Sequence, residues 1–401
     1  MNTPAARPRL PVGLTLLLCA AATPLNAQVV DRKERAQAPA EEAAPLLDRE
    51  AIARTISKGL EYLLANQNAD GSFGGIKNAT FTTSFANPAT FKCWQIGASA
   101  LAVRSLLELG QSDAAHGAVE RGLDFLVANA EPLRPADWDV DNNWAIIYGL
   151  DAVARALRDP RYAAGTARHD ELRAAAAKQI QGLAKYQSPR GGWGYYADPN
   201  SGWRPDWATS FTTAAAVLAL VEAKQSGLEV DEKVFRAGVK AVRMARLPNG
   251  AYDYEVSAVP GHLTLESINQ VKGSLGRIQV CNLALYRAGD DIGTDQLARG
   301  LQDFVRDHKF LAVARNKPIP HEAYYANAAY FYLFAHYYAA QVLELLPADQ
   351  RAPFAEFVQA GILDASQPDG SMWDFYIASN TKAYGTAFGI LGLQRTLDAT
   401  K

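Results

Sequence analysis

Two carboxylates stand two residues apart in Trp138-Asp139-Val140-Asp141-Asn142-Asn143-Trp144, just before an apolar stretch that reads as a helix. Asp139 and Asp141 have two chemistries open to them. A carboxylic acid held neutral by its neighbours and faced by aromatic rings donates a proton, and the ring faces stabilise the cation that forms. A carboxylate turned onto its own helix instead accepts the orphan N–H groups of the first turn and meets the positive end of the dipole. Other polar and aromatic residues stand where long connections enter apolar helices: Trp207, Arg277, His321, Glu322, Tyr325 and Tyr384. With Asn142, Asn143 and Trp144 they form a candidate ligand-binding set suited to an amphipathic molecule. Asp141, Glu266, Glu322 and Asp374 also keep glycan cleavage open, because that reaction needs two carboxylates facing one cavity. His321-Glu322-Ala323-Tyr324-Tyr325 begins like a metalloprotease helix, but Tyr325 occupies the position of the second His, so no zinc pair forms. No metal or cofactor is expected.

The elements that must position these residues come from a segment recurring about every 60 residues. Its first copy runs Lys58-Gly59, Tyr62-Leu63, Gln67, then Gly71-Ser72-Phe73. Weaker copies begin at Arg121-Gly122, Lys178-Gln179, Arg236-Ala237, Arg299-Gly300 and Ala360-Gly361. Around each turn signal lie two helical stretches, one with a charged face and one apolar nearly all round. Strict alternation of the two kinds predicts six hairpins, with an inner ring of buried helices inside an outer ring. Asp-Gly makes the turn, Gln satisfies backbone groups at helix ends, and the aromatic fills the gap between hairpins. The fifth inner helix is expected over Tyr324 to Leu346. Tyr325, Tyr332 and His336 fall on one face of it, and Tyr324, Asn327, Phe331, Phe334 and Tyr338 on the other.

The recurring basic-small, aromatic-aliphatic, Gln and Gly-x-aromatic pattern resembles the QW repeat of the terpenoid cyclase and protein prenyltransferase toroids, over roughly residues 48 to 397. The resemblance implies an all-α, (α/α)6 toroid with a central ligand cavity. It also aligns Asp139-Val140-Asp141-Asn142 with the acidic motif through which class II terpene cyclases protonate an alkene or epoxide. Asp141 matches the proton donor, and Asn142 replaces the fourth acid. Protein prenyl transfer needs a zinc ion held by Asp, Cys and His. Here Gly385 stands where that His would be and Gln279 where an acid would precede Cys281, which argues against a zinc enzyme. Non-catalytic ligand or protein binding by the toroid, and a polysaccharide-cleaving (α/α)6 enzyme, stay open beside acid catalysis.

The chain has 401 residues and a formal net charge of −2, so neither a nucleic acid nor an anionic membrane surface is suggested as partner. Residues 1–27 carry the basic start, apolar run and small-residue end of a secretory signal, and 28–47 read as an unstructured leader before a toroid domain over 48–401. Export to the periplasm or medium is the corresponding expectation. After residue 27 no apolar run approaches the roughly 18 residues that span a bilayer. The ligand expected is a small lipid or glycan, with protein partners left open. Cys93 and Cys281 fall on opposite sides of the ring, too far apart for a disulfide.

Overall fold

The computed structural model describes residues 48–75, 87–198, 205–256 and 267–401. The signal and leader read in 1–47, and Glu266, lie outside them. Thirteen α-helices occur among the described residues. The outer series is α1 (Arg49–Ala65), α3 (Asp113–Ala128), α5 (Ala167–Tyr186), α7 (Glu232–Met244), α9 (Thr294–Asp307) and α12 (Arg351–Asp364). The inner series is α2 (Pro88–Leu109), α4 (Asn142–Ala156), α6 (Ser210–Gln225), α8 (Leu275–Arg287), α11 (Phe331–Leu343) and α13 (Lys382–Ala399). One short helix, α10 (Lys309–Ala312), interrupts the fifth connection. Each inner helix packs on the next, and α13 packs on α2, so the ring is closed: an (α/α)6 toroid.

Burial separates the two series as their sequences require. In α6 every residue from Ser210 to Ala223 is buried, as in a helix covered on all sides. In α7 only the stripe Phe235, Gly238, Val239, Ala241 and Val242 is buried, at the three- and four-residue spacing of a surface helix. The outer helices α1, α3, α5 and α7 are capped by their own Asp48, Ser112, Thr166 and Asp231 side chains, each worth about 1 kcal/mol. None of the six inner helices has such a cap. Their first N–H groups are met from other segments: Asn143 N donates to Tyr195 O at 3.1 Å, Ser210 N to Tyr254 O at 3.0 Å, and Leu333 N to Asp374 Oδ2 at 3.0 Å. Six helix N-termini therefore gather at one mouth of the ring with loops laid across them.

The turns explain the recurring motif. Gln67 Nε2 donates to Gly71 O (3.0 Å) within its turn and to Ala118 O (2.8 Å) on the next outer helix. Gln187 does the same to Gly191 O and Val234 O. The buried motif positions Phe73, Trp193, Tyr252 and Met372 each hang their N–H on a hydroxyl of the following inner helix: Ser99, Thr213, Ser274 and Thr386. Gly71 takes φ 83°, and a Cβ there would strike the carbonyl of Arg121; Gly370 takes φ 85° and stands likewise against Lys58 O. The basic-small pair of one hairpin is thus the seat for the turn glycine of the hairpin before it, and Gly370 on Lys58 joins last to first. A fourth turn of this shape, bridging Arg246 and Tyr252, is present although its sequence, Leu247-Pro248-Asn249-Gly250, lacks the Gln.

The centre of the ring is rich in aromatic side chains. Trp144 on α4 meets Phe334 on the opposite helix α11, with ring centroids 6.5 Å apart, and stacks on Tyr148 and Phe211. Tyr148 in turn packs on Phe388 of α13. Aromatic side chains from facing helices thus meet across the middle of the ring. The inward face of α11 is Phe331, Phe334 and Tyr338; Tyr332 and His336 face out against Phe304, His308 and the outer helices. The fifth inner helix begins at Phe331, not Tyr324, because Tyr325 and Ala326 take φ of 60° and 54° and break the helix.

At the mouth formed by the carboxyl ends of the inner helices, arginines interlock with acids. Arg104 is paired with Glu108 and Asp151, Arg155 with Glu108, Arg158 with Glu222, and Arg395 with Glu344. Such cations offset the negative ends of the inner helices.

Candidate functional site

The two hairpins without a Gly turn, the second and the fifth, end on inner helices α4 and α11, which stand opposite one another in the ring. Their irregular entering segments bring in Asp141 on one side and His321 with Tyr330 on the other.

Asp141 occupies the N-cap position of α4 in a left-handed conformation, φ 69° and ψ 10°, and makes no side-chain cap bond. Its Oδ2 accepts from Trp94 Nε1 of α2 at 2.9 Å. Its Oδ1 accepts no hydrogen bond among the described residues, and the side chain keeps part of its surface accessible. Burial raises the carboxyl from an ordinary 3.8 to about 6, against the opposing pull of the Trp94 hydrogen bond. The capping role open to this residue in the sequence is therefore not the one its side chain takes. Its negative charge in turn helps hold the phenols of Tyr195, Tyr254 and Tyr330 protonated, behind the larger effect of burial.

Those tyrosines make the wall. Tyr195 and Tyr254 share a hydrogen bond between their hydroxyls. His321 is held by its Nδ1 to Ala326 O at 2.7 Å; a carbonyl only accepts, so Nδ1 carries the proton. Nε2 is then the acceptor for the Tyr330 hydroxyl at 3.2 Å. The Arg277 guanidinium lies 5.3 Å from the Tyr254 ring centroid and donates to the carbonyls of Tyr252 and Ile268. Burial pulls Arg277 down to about 10, since no carboxylate pairs with it among the described residues. Tyr384 lies nearby, its phenol raised by burial and then by Asp374 and Tyr330.

Other candidates are placed elsewhere. Asp139 is buried; its Oδ2 accepts from Ala136 N at 3.1 Å and its carbonyl from Arg134 Nε at 2.7 Å, so it shapes the turn before Asp141 and does not share its exposure. Asn142 exchanges two hydrogen bonds with the backbone of Ala197, and Asn143 Nδ2 donates to Gly194 O; both anchor the 194–197 loop and are closed to a ligand. Trp207 packs edge-on to Tyr195 and Tyr196, behind the wall. Glu322 is exposed and ion-paired with Lys317 at 3.3 Å, and Tyr325 packs on Phe310, so neither belongs to the wall. Asp374 is buried with Oδ2 on the first turn of α11, and burial raises it to about 7. Asp141 and Asp374 are thus not a pair of carboxylates facing across an open groove. Trp94, Tyr195 and Tyr254 were absent from the sequence-derived set, although Trp94 lies in an apolar helix it picked out; Tyr330 falls within the stretch expected as the fifth inner helix and stands at the N-cap of α11. No cluster able to hold a metal ion occurs among the described residues, and no described helix is long and apolar enough to cross a membrane. Cys93 and Cys281 are free and buried.

No protein-family profile matches the chain, and no curated protein matches it in sequence. Solved structures do. An inactive variant of the α-1,6-mannanase of Salegentibacter sp. HEL1_6, in complex with α-1,6-mannotetrose, superposes with TM-score 0.60 at 12% identity over 86% of this chain and 99% of that one. A type II terpene cyclase from Scytonema, in complex with merosterolic acid A, gives 0.53 at 14% identity over 88% and 98%. The cellobiose 2-epimerase of Spirochaeta thermophila DSM 6192 gives 0.57 at 12% over 88% and 97%. At these identities the likeness is one of fold, and the fold they have in common with this chain is the (α/α)6 toroid.

Proposed function

We propose that the chain is an exported toroid enzyme that binds an amphipathic small molecule at the mouth around Asp141 and acts on it by proton donation. The observation that carries this reading is the Asp141 side chain, turned away from its own helix, fixed through Oδ2 by Trp94, with Oδ1 free beside a wall of tyrosines. A carboxyl near 6 is a general acid matched to neutral pH. It suits an oxygen, as in an epoxide, better than an unactivated alkene, which demands a stronger acid. The proton passes from Oδ1 to the epoxide oxygen, a C–O bond breaks, and the carbocation left behind faces aromatic rings. The carboxylate that remains keeps its Trp94 bond. The likeness to a terpene cyclase supports the reading without carrying it. Glycan cleavage is the weaker alternative, since no second carboxylate shares the wall with Asp141 among the described residues.

The test is incubation of the purified full chain and of Asp141→Asn with polyprenyl compounds bearing and lacking a terminal epoxide, with mass spectrometry of products and of retained ligand. Cyclised or rearranged product from the epoxide with the wild type alone supports acid catalysis. Equal retention by both proteins with no product would reduce the toroid to a binding protein. Export is checked by N-terminal sequencing of the chain recovered outside the cytoplasm.

A further inference from the structure

Where the first hairpin meets the last, a cleft of about 250 Å³ lies between the end of α1, the turn at Phe73-Gly74 and the segment leading into α13. That is room for about eight waters, the space of one sugar ring with its hydroxyls. None of the residues around Asp141 lines it. Gly74, at φ 69°, keeps it clear: a Cβ there would lie 3.1 Å from Asn380 O and 3.7 Å from Ala383 Cβ. Asn380 lines the cleft with 7% of its surface exposed, yet its side-chain amide makes no hydrogen bond among the described residues. A buried amide without a partner costs stability unless something else meets it. Tyr62, Asn66 and Lys382 line the same cleft and are each open to solvent at least in part. Burial, with Asp369 next, pushes the Tyr62 phenol up to about 12, so it stays a neutral donor. Asn66 spends Nδ2 on Tyr62 O at 2.8 Å and keeps Oδ1 as an acceptor. Lys382 Nζ is paired with Asp369 Oδ2 at 2.8 Å.

We propose that this cleft binds one pyranose unit of a neutral glycan, the Asn380 amide meeting one of its hydroxyls and Tyr62, Asn66 and Lys382 meeting others. Lys382 is the one charged residue lining the cleft among the described residues, and Asp369 neutralises it, so nothing there calls for an ionic ligand. Leu63, Phe73 and Ala383 also line it but are buried, so the open edge offers an amide, a phenol and an ammonium in place of an apolar face. A hydroxyl both donates and accepts, and a ring that carries several can satisfy all three kinds of group at once. The hydroxyl that meets the Lys382–Asp369 pair does so through a charge-assisted bond. A cleft with few hydrogen bonds, open on one side, holds a single sugar weakly, and binding here is independent of what Asp141 does.

The experiment is a ligand-observed NMR titration of the full chain at pH 7.5 with the methyl pyranosides of glucose, mannose and galactose, and with cyclohexanol, a six-membered ring with a single hydroxyl, as comparison probe. Saturable binding of at least one of the three glycosides with a Kd of about 1–10 mM, and no saturable binding of cyclohexanol, is the expected result. Asn380→Leu is close in size and breaks no side-chain hydrogen bond of the free chain, so the fold should tolerate it while the bound glycoside weakens at least about tenfold. Asn66→Trp, a bulky change at an exposed position of the cleft, should weaken it too, and decides the matter if Asn380→Leu does not fold. No saturable signal from any of the three glycosides, cyclohexanol bound as tightly as the best of them, or a folded Asn380→Leu that binds like the wild type would each overturn the proposal.

Discussion

Replacing Asp141 by Asn tests whether the carboxyl is held in a site that disfavours its charge. Asn keeps the shape, tolerates the left-handed backbone at φ 69°, and can still accept from Trp94 Nε1. The change therefore removes an ionisable group and little else. In the folded chain the carboxyl titrates at about 6 against an ordinary 3.8. At about 1.4 kcal/mol per pH unit, ionising it in the folded state costs about 3 kcal/mol relative to the unfolded chain. Below pH ~4 both states are protonated and the penalty vanishes; it grows from about pH 4 to 6 and is constant above. Asp141→Asn should accordingly be more stable than the wild type by up to about 3 kcal/mol at pH 7.5 and equal to it near pH 4, as is usual where function is maintained against stability. Urea unfolding followed by circular dichroism at the two pH values measures the difference. A variant less stable at pH 7.5, or a difference that does not change with pH, would show that Asp141 is an ordinary structural carboxylate and refute the reasoning.

Trp94→Phe removes a hydrogen bond to the ionised carboxylate worth about 1.5–3 kcal/mol, so the Asp141 pKa should rise by a further 1–2 pH units or so. A carboxyl-carbon NMR titration with Asp141→Asn as the blank reads it, and an unchanged or lower value would contradict the geometry. Arg104→Met strands Asp151 in a buried network, while Glu108 keeps Arg155, and should destabilise the fold by about 3–5 kcal/mol in denaturant titration. Gly370→Ala places a Cβ 2.5 Å from Lys58 O at φ 85°. It should cost clearly more than Gly165→Ala, where φ is also positive and nothing lies within 4 Å, so that only the conformational penalty of about 1 kcal/mol applies. Equal thermal midpoints for the two would deny the close seat between first and last hairpins.

The architecture was legible because burial period and turn chemistry are local. Helices apolar all round alternate with striped ones, and Asp70-Gly71 or Asp369-Gly370 announce their turns without reference to distant residues. The fourth turn is hard to see in sequence because Asn249-Gly250 does the same job with Arg246 in place of Gln, the backbone geometry being what is required. The site was legible in place but not in orientation. Asp141 is a cap by position and something else by rotamer and φ, and only the indole of Trp94, 47 residues earlier, decides between the two. Asn142 and Asn143 looked available because nothing in sequence says that a loop fifty residues on will consume their amides. The lining of the ring centre was not legible because helical periodicity sorts α11 into two faces but does not say which turns inward.

The seat of Gly370 on Lys58, with Arg49 reaching Thr400 and Leu397, has a consequence for how the molecule comes together. Every hairpin but one can dock on a neighbour already made; the join between α1 and α13 waits for the far end of the chain to emerge. Until then the belt is unbuckled, with the apolar flanks of α2 and α13 bare. Because all the clasps are alike, the place of the buckle is a matter of where synthesis starts. A chain whose ends were tied and reopened at the exposed Gly165 turn would close on the same two mouths.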